Sequence, residues 1–264
     1  MIWEKFEKEC TDFLNDKFGN YATFEHLGES DSTVADIKVI TANSKKEFYI
    51  EAKHSPAQCG QFVLIPDFNR RVFTYSKLNI TPLNQYAQFI INYMNEQFDL
   101  YSNAGTSGRD IKIRNGENIF SSWIIDYYKK KGVQFFISNN NVIIPIEDFH
   151  NYFNVSAKYR IKRSGSSEVG KADIEIVKEY LLRNYNIIDV KIENKKLFIK
   201  SNLLLHNKKF VLNGKEYMIS DRNEWFEIRK LSNTFNANVI FSITIKNGLD
   251  GISAEKFIQF LLKF

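Results

Sequence analysis

Three residues gathered from two neighbouring segments could do chemistry together: Asp36, Glu51 and Lys53. An acid-x-lysine triplet alone says little, since the chain carries five: Asp36-Ile37-Lys38, Glu51-Ala52-Lys53, Asp110-Ile111-Lys112, Asp189-Val190-Lys191 and Glu193-Asn194-Lys195. Context selects the second. If Asn43 and Ser44 are the two loop residues of a hairpin, paired positions sum to 87 and Asp36 falls opposite Glu51. Cross-strand partners share a face with Cβ atoms about 5 Å apart. Strand alternation then puts Glu51 and Lys53 on that face, with Phe48, Ile50 and Ala52 on the other. Two carboxylates this close repel unless a cation lies between them. Mg²⁺ fits, because it is bound through one or two carboxylates together with phosphate oxygens and water, and such an ion activates water against a phosphoryl group. Lys53 would orient or deprotonate that water and neutralise the phosphorane. A solvated strand face with a cross-strand ion pair gives the same spacing, and a change of one residue in the loop would break the register.

The elements that must hold these residues are legible around them. Trp3, Phe6, Cys10, Phe13 and Leu14 recur at helical spacing, so an amphipathic helix is expected over 2–17. Strands are expected at 21–27, 33–41 and 47–53. A helix from Pro82 to about Phe98 follows, with Thr81 as its cap, then a polar loop over 99–118 and a second helix at 119–131. The strand Val133–Ser138 turns at Asn139–Asn141 into Val142–Ile146, and a short helix covers 147–153. After a basic, small-residue stretch at 156–169 come a helix at 171–185 and hairpin-like pairs. One of these pairs turns at Asn213-Gly214, a type I′ signal. Ser253 caps a closing helix from Ala254. The fold class expected is mixed α/β.

The run Ser32-Thr-Val-Ala-Asp36-Ile-Lys-Val39, followed by Phe48-Tyr-Ile-Glu51-Ala-Lys53, resembles the PD-(D/E)xK nuclease superfamily. Ala35 stands where the motif's name has proline. The order helix, three strands with acids on the second and third, helix, strand also resembles the restriction-endonuclease-like αβββαβ core, over roughly residues 1–140. The resemblance implies that Asp36 and Glu51 hold Mg²⁺, with the Ala52 carbonyl joining them, and that Lys53 serves the attacking water. A further acid on the first helix often reaches such sites, and Glu7, at the edge of the apolar stripe, is the candidate. Gln58 and Gln61 follow the motif closely enough to meet phosphates or water beside the metal. His26, His54, His150 and His206 form no HxH or HExxH spacing.

Substrate contacts are sought where positive charge clusters. Lys158, Arg160, Lys162 and Arg163 run into Ser164-Gly165-Ser166, and alternation places Lys158, Arg160 and Lys162 on one face of an extended segment. Arginine reads guanine edges, while lysine and serine suit phosphates. The segment resembles DNA-contacting stretches of type II restriction endonucleases, although a solvated basic linker has the same composition. Arg109, Lys112 and Arg114 are weaker candidates.

Composition sets the bounds. The 264 residues carry 36 basic and 31 acidic side chains, a net charge of +5, with 44% hydrophobic residues, 23 Phe and only 12 Gly and 4 Pro. That is a globular composition which permits a polyanionic partner. The charged N-terminus predicts no secretory leader. Apolar runs such as Phe62–Ile65 fall far short of the roughly 20 residues a membrane helix needs. Two cysteines without a CxxC partner argue against a zinc knuckle or a disulfide framework and for a reducing cytoplasm. No glycine-rich nucleotide loop points to ATP. A nuclease core over 1–155 and a C-terminal mixed α/β part over 156–264, for DNA recognition or dimerisation, are expected. The functional expectation is a Mg²⁺-dependent type II restriction endonuclease that cuts double-stranded DNA site-specifically, leaves 5′-phosphates and acts as a homodimer. The alternatives are a repair or junction nuclease of the same superfamily, or a non-catalytic DNA-binding module.

Overall fold

A computed structural model describes residues 2–27, 34–163, 166–232 and 235–264. It divides into two compact units, Met1–Arg160 with Ala237–Phe264, and Ile161–Asn236. The first begins with α1 (Ile2–Phe18), whose Cys10, Leu14 and Phe18 are buried as the helical period predicts. Strands β1 (Ala22–His26), β2 (Ile37–Thr41) and β3 (Glu47–Lys53) follow as an antiparallel meander. Asn15 ties helix to sheet: its amide donates to the Phe24 carbonyl at 2.8 Å and accepts from the Phe24 N–H at 3.2 Å, as a neighbouring strand would.

The β2–β3 pairs run Ile37 with Ile50, Lys38 with Tyr49 and Val39 with Phe48, the expected register. The loop is longer than two residues. Thr41 N–H still bonds the Lys46 carbonyl at 3.1 Å, and Lys45 in the left-handed region closes a four-residue turn. Two residues added symmetrically leave the pairing unchanged, whereas one would have turned every side chain over.

β4 (Ala57–Asp67) and β5 (Val72–Tyr75) form a hairpin where sequence periodicity was weak. α2 (Gln85–Glu96) starts three residues after Pro82, because Asn84 caps it by accepting from Ala87 N–H at 2.8 Å. Thr81 is therefore not the cap. The segment expected to be loop at 99–118 contains most of α3 (Phe98–Ser102), the short strand β6 (Arg109–Asp110) and the start of α4 (Gly116–Lys130). β7 (Val133–Ser138), β8 (Val142–Pro145), the short helix α5 (Phe149–Tyr152) and β9 (Phe153–Arg163) complete this stretch. The basic segment expected as a junction is thus the second half of a long strand, anchored by buried Val155, Ala157 and Tyr159 on one face.

The second unit holds β10 (Ser166–Glu168), α6 (Ile174–Asn184), β11 (Asp189–Glu193), β12 (Lys196–Lys200), β13 (Lys209–Leu212), β14 (Lys215–Arg222) and β15 (Trp225–Leu231). Its sheet runs β11-β12-β15-β14-β13 over a core of Val177, Leu181, Leu197, Ile199, Ile219 and Ile228. Asn213 and Gly214 both adopt positive φ, the I′ geometry their sequence predicts.

The chain then returns to the first unit with β16 (Phe235–Ile245) and α7 (Ala254–Lys263). The partition therefore differs from 1–155 and 156–264, because β16 pairs antiparallel with β4 and cannot belong elsewhere. Ser253 caps α7 as expected, accepting from Lys256 N–H at 3.3 Å. Two sheets result in this unit, β1-β2-β3-β7-β8 and β5-β4-β16-β9-β6. α1 and α7 cover one face of the first sheet, where Ile37, Val39, Phe48, Ile50, Phe135 and Phe257 pack together. Full burial of each such side chain contributes roughly 1.5–3 kcal/mol. α4 covers the other face, with Tyr128 edge-on to Phe136 at 5.1 Å. Among the described residues no helix is long and apolar enough to cross a membrane.

Candidate active site

β3 is the central strand of the first sheet, antiparallel to β2 and parallel to β7, so its C-terminal end is held from both sides. Ser138 donates to the Lys53 carbonyl at 2.7 Å. Just beyond, Asn139 accepts from Ser55 N–H at 2.8 Å and donates to its carbonyl at 2.9 Å. Asp36 precedes β2, and its Oδ2 accepts from Ala52 N–H at 2.9 Å. That bond fixes the acid against the strand that carries Glu51 and Lys53.

The three side chains meet. Lys53 Nζ lies 2.5 Å from Glu51 Oε1 and 3.5 Å from Asp36 Oδ2, and donates to the Ala52 carbonyl at 3.3 Å. Their face is not solvated. Glu51 is 4% exposed, and only 16% of the side-chain surface of Asp36 and of Lys53 meets solvent. Burial raises the Glu51 carboxyl above its ordinary range, against the pull of Lys53, and Asp36 adds to the rise. Burial likewise raises Asp36, opposed by Lys53 and the Ala52 N–H. For Lys53, burial pushes downward, but the two carboxylates outweigh it and hold the ammonium far above the lysine range. Lys53 thus stands as the cationic partner of both acids.

Glu51 Oε2 is buried and has no hydrogen-bond partner among the described residues. The Tyr128 phenol favours the charged carboxylate without closing a bond of good geometry. An orphaned carboxylate oxygen beside Asp36 and a backbone carbonyl is an all-oxygen donor set that fits a hard divalent ion. Among the described residues no three His, Cys, Asp or Glu side chains form a cage by themselves, so such an ion would keep sites for water and phosphate.

These groups line one wall of a cavity of about 590 Å³. Glu7 reaches it from α1, buried, its Oε2 3.3 Å from His26 Nε2, with its carboxyl raised by burial against that contact. Gln58 and Gln61 reach it from β4. Gln58 donates to Gln61 Oε1 at 3.3 Å, and Asn238 of β16 donates to the same oxygen at 3.2 Å. The structure thus gathers Glu7, Asp36, Glu51, Lys53, Gln58 and Gln61 in one place.

Among the described residues, Lys158, Arg160, Arg109, Lys112 and Arg114 are not part of the cavity lining. Lys158 and Arg160 are on β9, two strands from β4 and so about 10 Å away at sheet spacing. Lys158 sits 3.5 Å from Asp110, and Arg109 pairs with Tyr159 at the sheet edge. Lys112 and Arg114 are exposed ahead of α4. Ser166 is engaged internally, its Oγ and carbonyl each accepting from Arg229 at 2.6 Å. Lys162 and Arg163 fall within β9, but their side chains lie outside the described residues, as does Ser164.

Sequence reasoning missed several wall residues. Tyr128 and Lys131, the latter 4.6 Å over the Tyr127 ring, come from α4 and its end. Gly60 is in the left-handed region at φ 89°, where an added Cβ would lie 2.8 Å from the Trp123 ring. Cys59 lies buried near Lys53, and burial pushes its thiol up to about 12, which makes it an unreactive neighbour. None of these carries a periodicity or motif that a sequence announces.

Comparison with known proteins gives one informative likeness. No protein-family model matches the chain, and no match was found among curated proteins. The solved structure of HhaI endonuclease in complex with DNA is similar over 100% of both chains, at 40% identity and a TM-score of 0.74. The chain belongs to the type II restriction endonuclease family of which HhaI endonuclease is a member, on the PD-(D/E)xK fold.

Proposed function

We propose that this protein cuts double-stranded DNA at a specific sequence with Mg²⁺ as cofactor, using Asp36, Glu51, the Ala52 carbonyl and Lys53 at the floor of the cavity. The observation that carries the reading is the buried convergence of two carboxylates on one lysine, with Glu51 Oε2 unpartnered. Mg²⁺ held by Asp36, Glu51 and the Ala52 carbonyl would supply Lewis-acid activation of water and neutralise phosphoryl charge. The chain's own residues do the rest. Lys53, held as an ammonium, donates to the water's oxygen or to a non-bridging phosphoryl oxygen and stabilises the charge that builds there. Glu7, kept in place by His26, is a third acid facing the same space. Gln58 and Gln61, cross-braced by Asn238, present amides to the phosphate that precedes or follows the scissile one.

Lys158, Arg160, Lys162, Arg163, Ser164 and Ser166, with Arg109, Lys112 and Arg114 more weakly, are the proposed duplex contacts. The products carry 5′-phosphates. Two copies acting on a palindrome would place one site on each strand. Free, buried Cys10 and Cys59 suit a reducing cytoplasm, where such an enzyme works within a restriction–modification system.

The test is incubation of phage DNA with Mg²⁺ or EDTA, followed by end mapping. Discrete fragments that need the metal and end in 5′-phosphate are expected, with Lys53→Ala inactive yet still bound to DNA. Cleavage by Lys53→Ala at the wild-type rate would refute the assignment.

A further inference from the structure

Beside the catalytic acids the segment Ser76–Thr81 places Leu78, Asn79, Ile80 and Thr81 in the cavity wall, and the chemistry above does not use it. Its side chains contradict its surroundings. Leu78 is 90% exposed and Ile80 60% exposed, although both line a cavity floored by charged groups. The chain that carries this leucine is hydrogen-bonded on both sides of it. Asn79 accepts from Val63 N–H at 2.7 Å and donates to the Val63 carbonyl at 3.0 Å, a side-chain imitation of a strand pairing on β4. The same carbonyl accepts from Ser76 N–H at 3.1 Å. Ser76 Oγ accepts from Leu78 N–H at 3.1 Å, and Tyr75 reaches the Thr81 carbonyl at 2.9 Å. The segment is fixed at both ends and in its middle, and what it presents is an apolar tip.

Resting on the nuclease reading of this site, we propose that Leu78 is a wedge that enters the duplex and opens a base step at or next to the scissile phosphate. The outside of a duplex is phosphate, against which a leucine gains nothing. Apolar surface is reached only along the sugar walls of a groove or between bases. With the scissile phosphate over Asp36 and Glu51, a rigid side chain on the cavity rim must meet that interior. Self-association through this rim would instead cover the cavity and shut out the substrate. Unstacking costs free energy, and an apolar tip whose backbone is already fixed recovers part of it at the ordering cost of one side chain. Leu78 is a positioning residue in this account: it bends the strand so that the phosphate seats on the acids.

The experiment starts from the site mapped with wild-type enzyme and Mg²⁺ on phage DNA. Short duplexes of that site carry a fluorescent base analogue (2-aminopurine or pyrrolocytosine) at each position in turn, and Ca²⁺ replaces Mg²⁺ to hold the uncut complex. Wild type should raise the fluorescence several-fold at one step. Leu78→Ala should abolish that rise and lower kcat/KM about ten- to hundred-fold, the worth of burying a leucine side chain. Leu78→Met should keep most of both. On a duplex with a mismatch at that step, where opening costs little, Leu78→Ala should cut within about threefold of wild type. A wild type that cuts with no fluorescence change overturns the wedge alone. So does a Leu78→Ala protein that cuts intact duplex at full rate, or one that loses equally on matched and mismatched duplex, or one that changes only its oligomeric state. A wild type that cuts no DNA overturns the nuclease reading and the wedge with it.

Discussion

Replacing Lys53 by Met tests whether the lysine is what lets two acids sit buried together. The ammonium is the one cation within 3.5 Å of both Asp36 and Glu51 among the described contacts, and both acids are nearly sequestered from water. Removing one partner of a buried ion pair costs about 3–5 kcal/mol, because the remaining charge is left without compensation. At roughly 2–4 °C per kcal/mol for a protein of this size, the midpoint of thermal unfolding should fall by roughly 6–20 °C at pH 8 in EDTA. Methionine fills the stem of the lysine, so little of the loss comes from a cavity.

The pH dependence separates this cause from a packing defect. Asp36 and Glu51 have carboxyls raised by burial, and in the variant the lysine no longer pulls them down. An acid whose folded pKa lies above its unfolded one holds its proton more tightly in the folded chain. Its ionised form therefore costs stability at high pH, and the cost is relieved as pH falls through the folded pKa toward the unfolded value of about 4. The deficit of Lys53→Met should shrink steadily between pH 8 and pH 5. Mg²⁺ should offset a further part, about 1.4 kcal/mol at ten times its dissociation constant. The assay is calorimetry of both proteins at pH 8 and pH 5, with EDTA and with Mg²⁺. A variant as stable as wild type at pH 8, or equally weakened at both pH values, would refute the argument.

Three further outcomes follow from the same geometry. Gly60→Ala places a Cβ 2.8 Å from the Trp123 ring at a φ of 89°. Left-handed strain and overpacking together should cost about 2–5 kcal/mol in urea unfolding, with a shift in tryptophan emission. Phe257→Ala removes a fully buried ring packed edge-on to Phe18 at 4.9 Å and Phe135 at 5.1 Å. The loss should be about 3–5 kcal/mol by denaturant titration, with no residue of the cavity touched. If two copies act together, supercoiled plasmid converts to linear product without nicked circles, and accumulation of nicked circles would refute the dimer.

The fold was legible where alternation is two-faced and local. The β2–β3 hairpin has Ile37, Val39, Phe48 and Ile50 facing one core, so its register could be counted from the turn, and the count survived an error in loop length because the error was symmetric. α1 was legible for the same reason. β4 was not. Its side chains Cys59, Phe62 and Leu64 face inward around the kink at Gly60, which breaks the period of two. The basic strand β9 read as a linker because its buried partners, Ala157 and Tyr159, are few between lysine and arginine. In the site, Asp36, Glu51 and Lys53 could be found because two short segments of adjacent sequence hold them. Tyr128, Leu78 and Asn79 could not, since nothing local relates residue 79 or 128 to residue 51.

The chain's last 28 residues show why contact, and not sequence order, defines the catalytic unit. No candidate catalytic residue lies beyond Ala237. Yet Ile240 pairs with Gln61 and Ser242 with Gln58, so β16 sets the position of the strand that walls the cavity. Ile245 N–H donates to Ser55 Oγ at 2.7 Å, two residues past Lys53, and so braces the end of the strand that carries the lysine. Phe257 and Leu261 close the core beneath Ile50, on the opposite face of the sheet from Glu51. A carboxylate with a raised pKa persists only where its surroundings are over-determined by packing, and here much of that packing comes from the end of the chain. Residues 161–236 are in this respect an insertion within the nuclease, spliced between β9 and β16, strands that are neighbours in one sheet. A chain cut after residue 232 would keep every residue of the Asp36, Glu51 and Lys53 motif and lose the strand and helix that hold it in place.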